Sequence, residues 1–191
     1  MRSLGARATP IARRAVLLFT GLVVALGVLP STAAHADGIY RWQNQRNGGF
    51  LEVWLSSHSN GAQVITWSSN PGSNNQWWAD YKLTDGYYLL QNYNSSKHLD
   101  RFDSPSSSGD CSAYQYSSTG DDWQRWRYER IWSDYHGRYF VRWINKYGCN
   151  GDPWWAFLAA HSGQSDVYTF QDDACVPGAI PDACYWRRNG E

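Results

Sequence analysis

Two adjacent carboxylate pairs, Asp121-Asp122 and Asp172-Asp173, are the residues of this 191-residue chain whose types most invite a reaction. Glycoside hydrolysis uses two acids flanking one bond. Neighbouring residues of an extended strand point to opposite faces, however, and both pairs stand in turn-like surroundings, so they read as solvated turn carboxylates. No Gly-x-Ser-x-Gly segment offers a hydrolase nucleophile, and no cysteine has a His partner near it in sequence. The cysteines Cys111, Cys149, Cys175 and Cys184 lack the two-to-four-residue spacing of a zinc site, and the histidines are scattered. Neither an enzyme activity nor a metal or other cofactor is expected. Aromatic rings dominate instead: 12 Trp and 13 Tyr, too many for all of them to serve a ligand, so most must pack. Trp154-Trp155, after Asp152-Pro153, cannot both face a core easily, and one is a candidate exposed ring or lid.

These residues sit in a repeating frame. Gly38-Ile39-Tyr40, Gly86-Tyr87-Tyr88 and Gly137-Arg138-Tyr139 open similar segments, and Gln76-Trp77-Trp78, Gln124-Arg125-Trp126 and Cys184-Tyr185-Trp186 close them. Gly38 to Gly86 and Trp78 to Trp126 both span 48 residues. A fixed period marks one structural unit copied along the chain. Asn44 falls with Asn92, Leu51 with Leu99, Glu52 with Asp100, and Trp67-Ser68-Ser69 with Tyr116-Ser117-Ser118. Val64–Trp67, Tyr87–Leu90 and Tyr139–Trp143 have strand composition. Asn47-Gly48-Gly49, Ser69–Ser73 and Ser104–Gly109 read as turns, and no apolar period of 3.6 is sustained. The expectation is an all-β fold, three units of four short strands closing into one barrel around a shared core.

The first 36 residues stand outside that frame. Arg2, Arg7, Arg13 and Arg14 precede an apolar run, Ala15 to Leu29, and Ala34-His35-Ala36 supplies small residues for cleavage. This is the pattern of a secretory signal peptide, and the run is short for a membrane span. A secreted protein of residues 37–191 is expected, a single domain with repeats at about 38–83, 84–134 and 135–191, a monomer with no membrane insertion. The full chain has 17 basic and 17 acidic side chains, and those four arginines leave with the leader, so the remainder is acidic. An acidic surface argues against nucleic acid. An even number of cysteines in an exported chain reads as two disulfides, with three pairings open. A bridge from Cys175 to Cys184 would pin the Pro/Gly loop between them, leaving Cys111 with Cys149.

Asn94-Ser95-Ser96-Lys97-His98-Leu99-Asp100 followed by Gln124-Arg125-Trp126 resembles the ricin B-type lectins, β-trefoil carbohydrate-binding modules. The family pattern is Asn-Ser-Gly-Lys-Cys-Leu-Asp with Gln-x-Trp, so Ser96 replaces the glycine and His98 the cysteine. Leu51-Glu52-Val53 with Asn75-Gln76-Trp77-Trp78 repeats it in the first unit; the third keeps Trp186 and has Cys184 where Gln would stand. The resemblance implies a β-trefoil over the whole chain after the leader. It also implies structural roles for Gln76, Trp78, Gln124, Trp126 and Trp186, the glutamines bracing turns and the tryptophans entering the core.

A pyranose has one apolar C–H face and a rim of hydroxyls, so its site needs an aromatic platform with acceptors at the edge. An ionised carboxylate can accept from two hydroxyls. Carried over from the family, the first pocket is Glu52, Trp67 and Asn75, with Glu52 one methylene longer than the usual Asp. The second is Asp100 and Tyr116, with Trp123 in place of the Asn as a second aromatic wall. Asp152 and Phe170 are the remnants of a third, inactive one. The resemblance implies a carbohydrate partner, a galactose- or xylose-type glycan or polysaccharide. A protein-binding trefoil or a protease inhibitor using the 175–184 loop is the alternative.

Overall fold

The computed structural model describes residues 36–105, 111–148, 156–160, 162, 167–171, 175 and 181–189. The chain divides into Met1–Thr32 and Ala33–Glu191, and everything below concerns the second unit. Of the expected leader only Ala36 is described, already paired with Tyr81; Asp152, Trp154-Trp155 and most of the Ser104–Gly109 turn also lie outside the described residues. Ser104 and Pro105 are not turn but the end of a strand, because Pro105 is held in register against Cys111.

The strands are β1 (Ala36–Tyr40), β2 (Trp42–Asn44), β3 (Phe50–Val53), β4 (Ala62–Trp67), β5 (Trp78–Lys82), β6 (Tyr88–Asn92) and β7 (His98–Pro105). β8 (Cys111–Tyr116), β9 (Trp126–Ser133), β10 (Arg138–Asn145), β11 (Ala156–Ala160), β12 (Val167–Gln171) and β13 (Trp186–Arg188) complete them. All pairings are antiparallel. β1–β5–β6–β9–β10–β13–β2 form the barrel, with β1 and β2 consecutive segments either side of Arg41. The hairpins β3–β4, β7–β8 and β11–β12 gather at one end, joined through β4–β8 and β8–β12. The architecture is a β-trefoil.

Threefold repetition is written in polar contacts as well as in topology. Trp78 faces Asn92, Trp126 faces Asn145, and Trp186 faces Asn44. Each asparagine amide donates to the carbonyl three residues before its tryptophan: Asn92 to Asn75, Asn145 to Trp123, Asn44 to Ala183, at 2.9, 2.7 and 2.8 Å. Each tryptophan indole in turn donates to a leucine carbonyl: Trp78 to Leu51, Trp126 to Leu99, Trp186 to Leu158, at 3.0, 3.1 and 2.8 Å. A tryptophan can be fully buried here because its one polar atom is satisfied.

The core holds those three rings with Trp42, Trp143, Leu51, Leu90, Leu99 and Leu158, all buried. Burying one leucine side chain contributes about 1.5–3 kcal/mol, and this alternating supply from every strand needs no helix. Cys175 and Cys184 form a disulfide with Cα atoms 5.9 Å apart. Cys111 is buried and also disulfide-bonded; Cys149 lies outside the described residues.

Candidate carbohydrate-binding site

Strand alternation decides what the hairpins present. In β3, Leu51 and Val53 turn into the core, so Phe50 and Glu52 take the opposite face. Opposite them on β4 are Trp67 and Ile65. In the second repeat His98 and Asp100 share a face with Tyr116 and Tyr114 in the same register. In the third, Phe157 and Ala159 pair with Phe170 and Tyr168. Leu51, Leu99 and Leu158 are equivalent through their indole bonds, so the third counterpart of Glu52 and Asp100 is Ala159. The position expected for Asp152 is therefore taken by an alanine, while Phe170 does hold the register of Trp67 and Tyr116.

In the first repeat Trp67 is 41% exposed and meets the exposed ring of Trp54 edge-on, centroids 5.9 Å apart. Glu52, the carboxylate expected for this pocket, is buried. Gln76 Nε2 donates to Glu52 Oε2 at 2.6 Å and to the Ser68 carbonyl at 2.8 Å, clamping the residue after Trp67. Gln76 Oε1 accepts from the Asn70 N–H at 2.9 Å and from Arg41 Nη2 at 2.6 Å. Arg41 lies over the Phe50 ring at 3.9 Å and also donates to Ser69 Oγ. Burial holds the Arg41 guanidinium below its ordinary range. Arg41, Gln76 and Glu52 thus form a chain in which each bond polarises the next. Asn75 turns inward, donating to the Val53 carbonyl at 2.9 Å and accepting from Ser73 Oγ.

The second repeat reproduces the clamp. Gln124 Nε2 donates to Asp100 Oδ2 and to the Ser117 carbonyl, both at 2.8 Å, and Gln124 Oε1 accepts from the Thr119 N–H at 3.0 Å. Asp100 is buried, and its Oδ1 has no hydrogen-bond partner. Burial pushes the Asp100 carboxyl up to about 6, against the downward pull of the Gln124 bond. His98 is buried too, which lowers its pKa. Tyr116 is 37% exposed and meets Tyr114 edge-on at 6.1 Å. Trp123, the expected second aromatic wall, has neighbours outside the hairpin. Its ring packs against Tyr147 at 5.8 Å, above the buried Arg101, because its carbonyl is held by Asn145 and its N–H by Asp121.

Ala159 and Cys184 replace both members of the clamp in the third repeat, and they lie in one apolar cluster with Phe157 and Cys175. Arg142 sits over Phe157 at 5.1 Å, as Arg41 does over Phe50, but its guanidinium goes to Glu129 and the Cys175 carbonyl. Sequence reasoning missed Arg41 and Trp54. The Arg41/Arg142 correspondence, both three residues before the repeat asparagine, was the available signal. Among the described residues, no group of three His, Cys, Asp or Glu side chains could hold a metal ion.

Residues 28–110 match the family described as ricin-type β-trefoil lectin domain-like. No curated protein sequence matches the chain. Among solved structures, the designed threefold-symmetric protein ThreeFoil is 29% identical with a TM-score of 0.62, over 80% of this chain and 98% of its own. The agglutinin of Rhizoctonia solani is 15% identical, TM-score 0.57, over 82% of this chain and 96% of its own. The exo-β-1,3-galactanase 1,3Gal43A of Clostridium thermocellum is 22% identical, TM-score 0.60, over 80% of this chain and only 30% of its own. These last two likenesses are of fold.

Proposed function

We propose, for a chain that carries a ricin-type β-trefoil lectin domain, that it is a secreted carbohydrate-binding module whose working pockets are the hairpin faces of repeats one and two. One observation carries the reading. Wherever an exposed ring stands at the third-strand position, Trp67 or Tyr116, a glutamine clamps a carboxylate beside it, and in the third repeat carboxylate and glutamine are absent together. The ring offers a platform for the C–H face of a pyranose. The clamp fixes the carboxylate and the backbone next to that ring.

With Asn75 turned inward and Trp123 packed against Tyr147, few polar groups remain at the rim, so each pocket is shallow. Millimolar affinity, about 4 kcal/mol per site, fits such a surface. Useful retention then comes from two pockets engaging one polymer, which multiplies weak sites through effective concentration. A galactose- or xylose-type glycan is the favoured ligand. The fold's presence within a galactanase is in keeping with the former, and with a domain that holds sugar while chemistry happens elsewhere.

The test is titration of the protein without its leader against immobilised glycans and insoluble polysaccharides, with Trp67→Ala and Tyr116→Ala alongside. Saturable binding that weakens at least about tenfold in one variant identifies the working repeat, the loss expected when an anchoring ring is truncated. Absence of binding across the panel by the folded wild type overturns the reading and turns attention to protein partners.

A further inference from the structure

The β9–β10 hairpin, on the barrel and apart from the three hairpin faces, carries a cluster that the lectin reading does not use. Strands β9 and β10 pair along their full length, with Trp132 opposite Tyr139 and Arg138 opposite Ser133. Trp132 and Tyr139 are each about half exposed, 49% and 51%, with ring centroids 5.0 Å apart, edge to face. Arg130 lies over the Tyr139 ring at 4.0 Å. The neighbouring strand β13 brings in Arg187, and an open cleft of about 460 Å³ is lined by Arg130, Trp132, Gly137, Arg138, Tyr139 and Arg187. That volume lies in the range of small-ligand sites.

The charge in this cleft is uncompensated. Other guanidinium groups do have carboxylate partners: Arg125 pairs with Asp85 and Asp122, Arg142 with Glu129, and Arg188 approaches Asp80. Among the described residues, Arg130, Arg138 and Arg187 have no ion pair, and no carboxylate lines the cleft. Arg187 spends Nη2 on Gln43 Oε1 at 2.8 Å, and its Nε is buried with no hydrogen-bond partner. Burial and the nearby charge of Arg138 both pull its pKa down, as expected where like charges are held together without an anion. Trp132 Nε1 is satisfied by Asp134 at 2.8 Å, which fixes that ring upright at the hairpin end.

We infer that this cleft is a second, separate site that binds a sugar unit bearing a carboxylate or sulfate group. Planar guanidinium groups take such anions through paired hydrogen bonds, and an ammonium would not match them. The two exposed rings supply an apolar wall for the sugar itself. Three unpaired charges in one short cleft suit a single anionic group; a nucleic acid strand would need a basic track continuing along the surface. The inference rests on the cleft and not on the hairpin pockets, so the two can fail independently.

The test is titration at low ionic strength with three probes: an oligogalacturonide, a sulfated galactose oligosaccharide and the neutral galactose oligosaccharide of the same length. Expected is at least tenfold tighter binding of one or both anionic probes than of the neutral one, lost as salt is added. The two anionic arms distinguish carboxylate from sulfate recognition. Arg130→Gln and Arg138→Gln, both at exposed positions, should each remove at least tenfold of the anionic affinity and leave neutral binding as it was. Trp67→Ala should do the reverse. Equal affinity for charged and neutral probes, no effect of either arginine variant, or equal competition by a short single-stranded oligonucleotide would each overturn the assignment.

Discussion

Gln124 donates to Asp100 Oδ2 at 2.8 Å and leaves Asp100 Oδ1 buried without a partner. The carboxylate is therefore half satisfied, and its ionised form is disfavoured in the fold: its pKa stands near 6 against an ordinary 3.8. Asp80, wholly buried with Trp42 Nε1 at 3.4 Å and Arg188 at 4.0 Å, is raised further, to about 7. Both shifts are upward, so the folded state holds more protons than the unfolded one between about pH 4 and 7. Their contribution to stability is complete below the unfolded pKa and is lost as pH rises through the folded one. Thermal melts should give a higher Tm near pH 5 than near pH 7.5, and Asp80→Asn should flatten that dependence and raise Tm at the upper end. A Tm that climbs with pH over this interval would contradict the assignment.

The clamp itself can be dissected. Gln124→Ala should cost about 2 kcal/mol, because it removes the Gln124 bond to Asp100 and frees the Ser117 and Thr119 backbone groups. Adding Asp100→Ala should cost less than the sum of the two single changes, since they share one interaction. Urea denaturation of the four proteins checks this; strict additivity would mean that the pair does not act as a unit.

Ser96 offers a stabilising change. Its φ is +57°, a left-handed conformation, and the equivalent turn of the first repeat has Gly48 at +68°. In both turns the N–H at this position donates to the carbonyl of the repeat asparagine, Gly48 to Asn44 and Ser96 to Asn92. Ser96→Gly keeps that bond and removes the strain of a Cβ in this region, for a gain of about 0.5–1 kcal/mol. The midpoint of chemical denaturation should shift upward.

Exposed and buried rings should behave oppositely. Trp126→Phe loses the indole bond to the Leu99 carbonyl inside a packed core and should destabilise by about 2–4 kcal/mol. Trp67→Ala removes a ring that is 41% exposed and should stay within about 1 kcal/mol of wild type. If Trp67→Ala also unfolded the protein, its ring would be a structural element and not a platform.

The Cys175–Cys184 bridge closes a short loop, a sequence separation of 9. Loop-closure entropy for that length corresponds to about 2–3 kcal/mol. The Cys175→Ser/Cys184→Ser protein should melt correspondingly lower while glycan binding through repeats one and two persists.

Periodicity in the sequence determined the repeat, the strand content and the alignment of Asn44 with Asn92, Leu51 with Leu99 and Trp78 with Trp126. These follow from local rules: alternation, turn chemistry, and a tryptophan that recurs where each unit must enter a common core. The third unit was less legible. The residues following Cys149 displace its spacing, so only the Trp186–Leu158 hydrogen bond reveals that Ala159, not Asp152, answers to Glu52. Tertiary structure alone decided how each site residue is used. Glu52, Asp100 and Asn75 have the types a sugar rim needs. Yet how a carboxylate is used depends on the glutamine that reaches it from 24 residues along the sequence. The arginine cleft was equally hidden, since Arg130, Arg138 and Arg187 become neighbours only when β13 closes the barrel beside β10. Strand composition is a local property of the chain, whereas the partner of a polar group is set by closure.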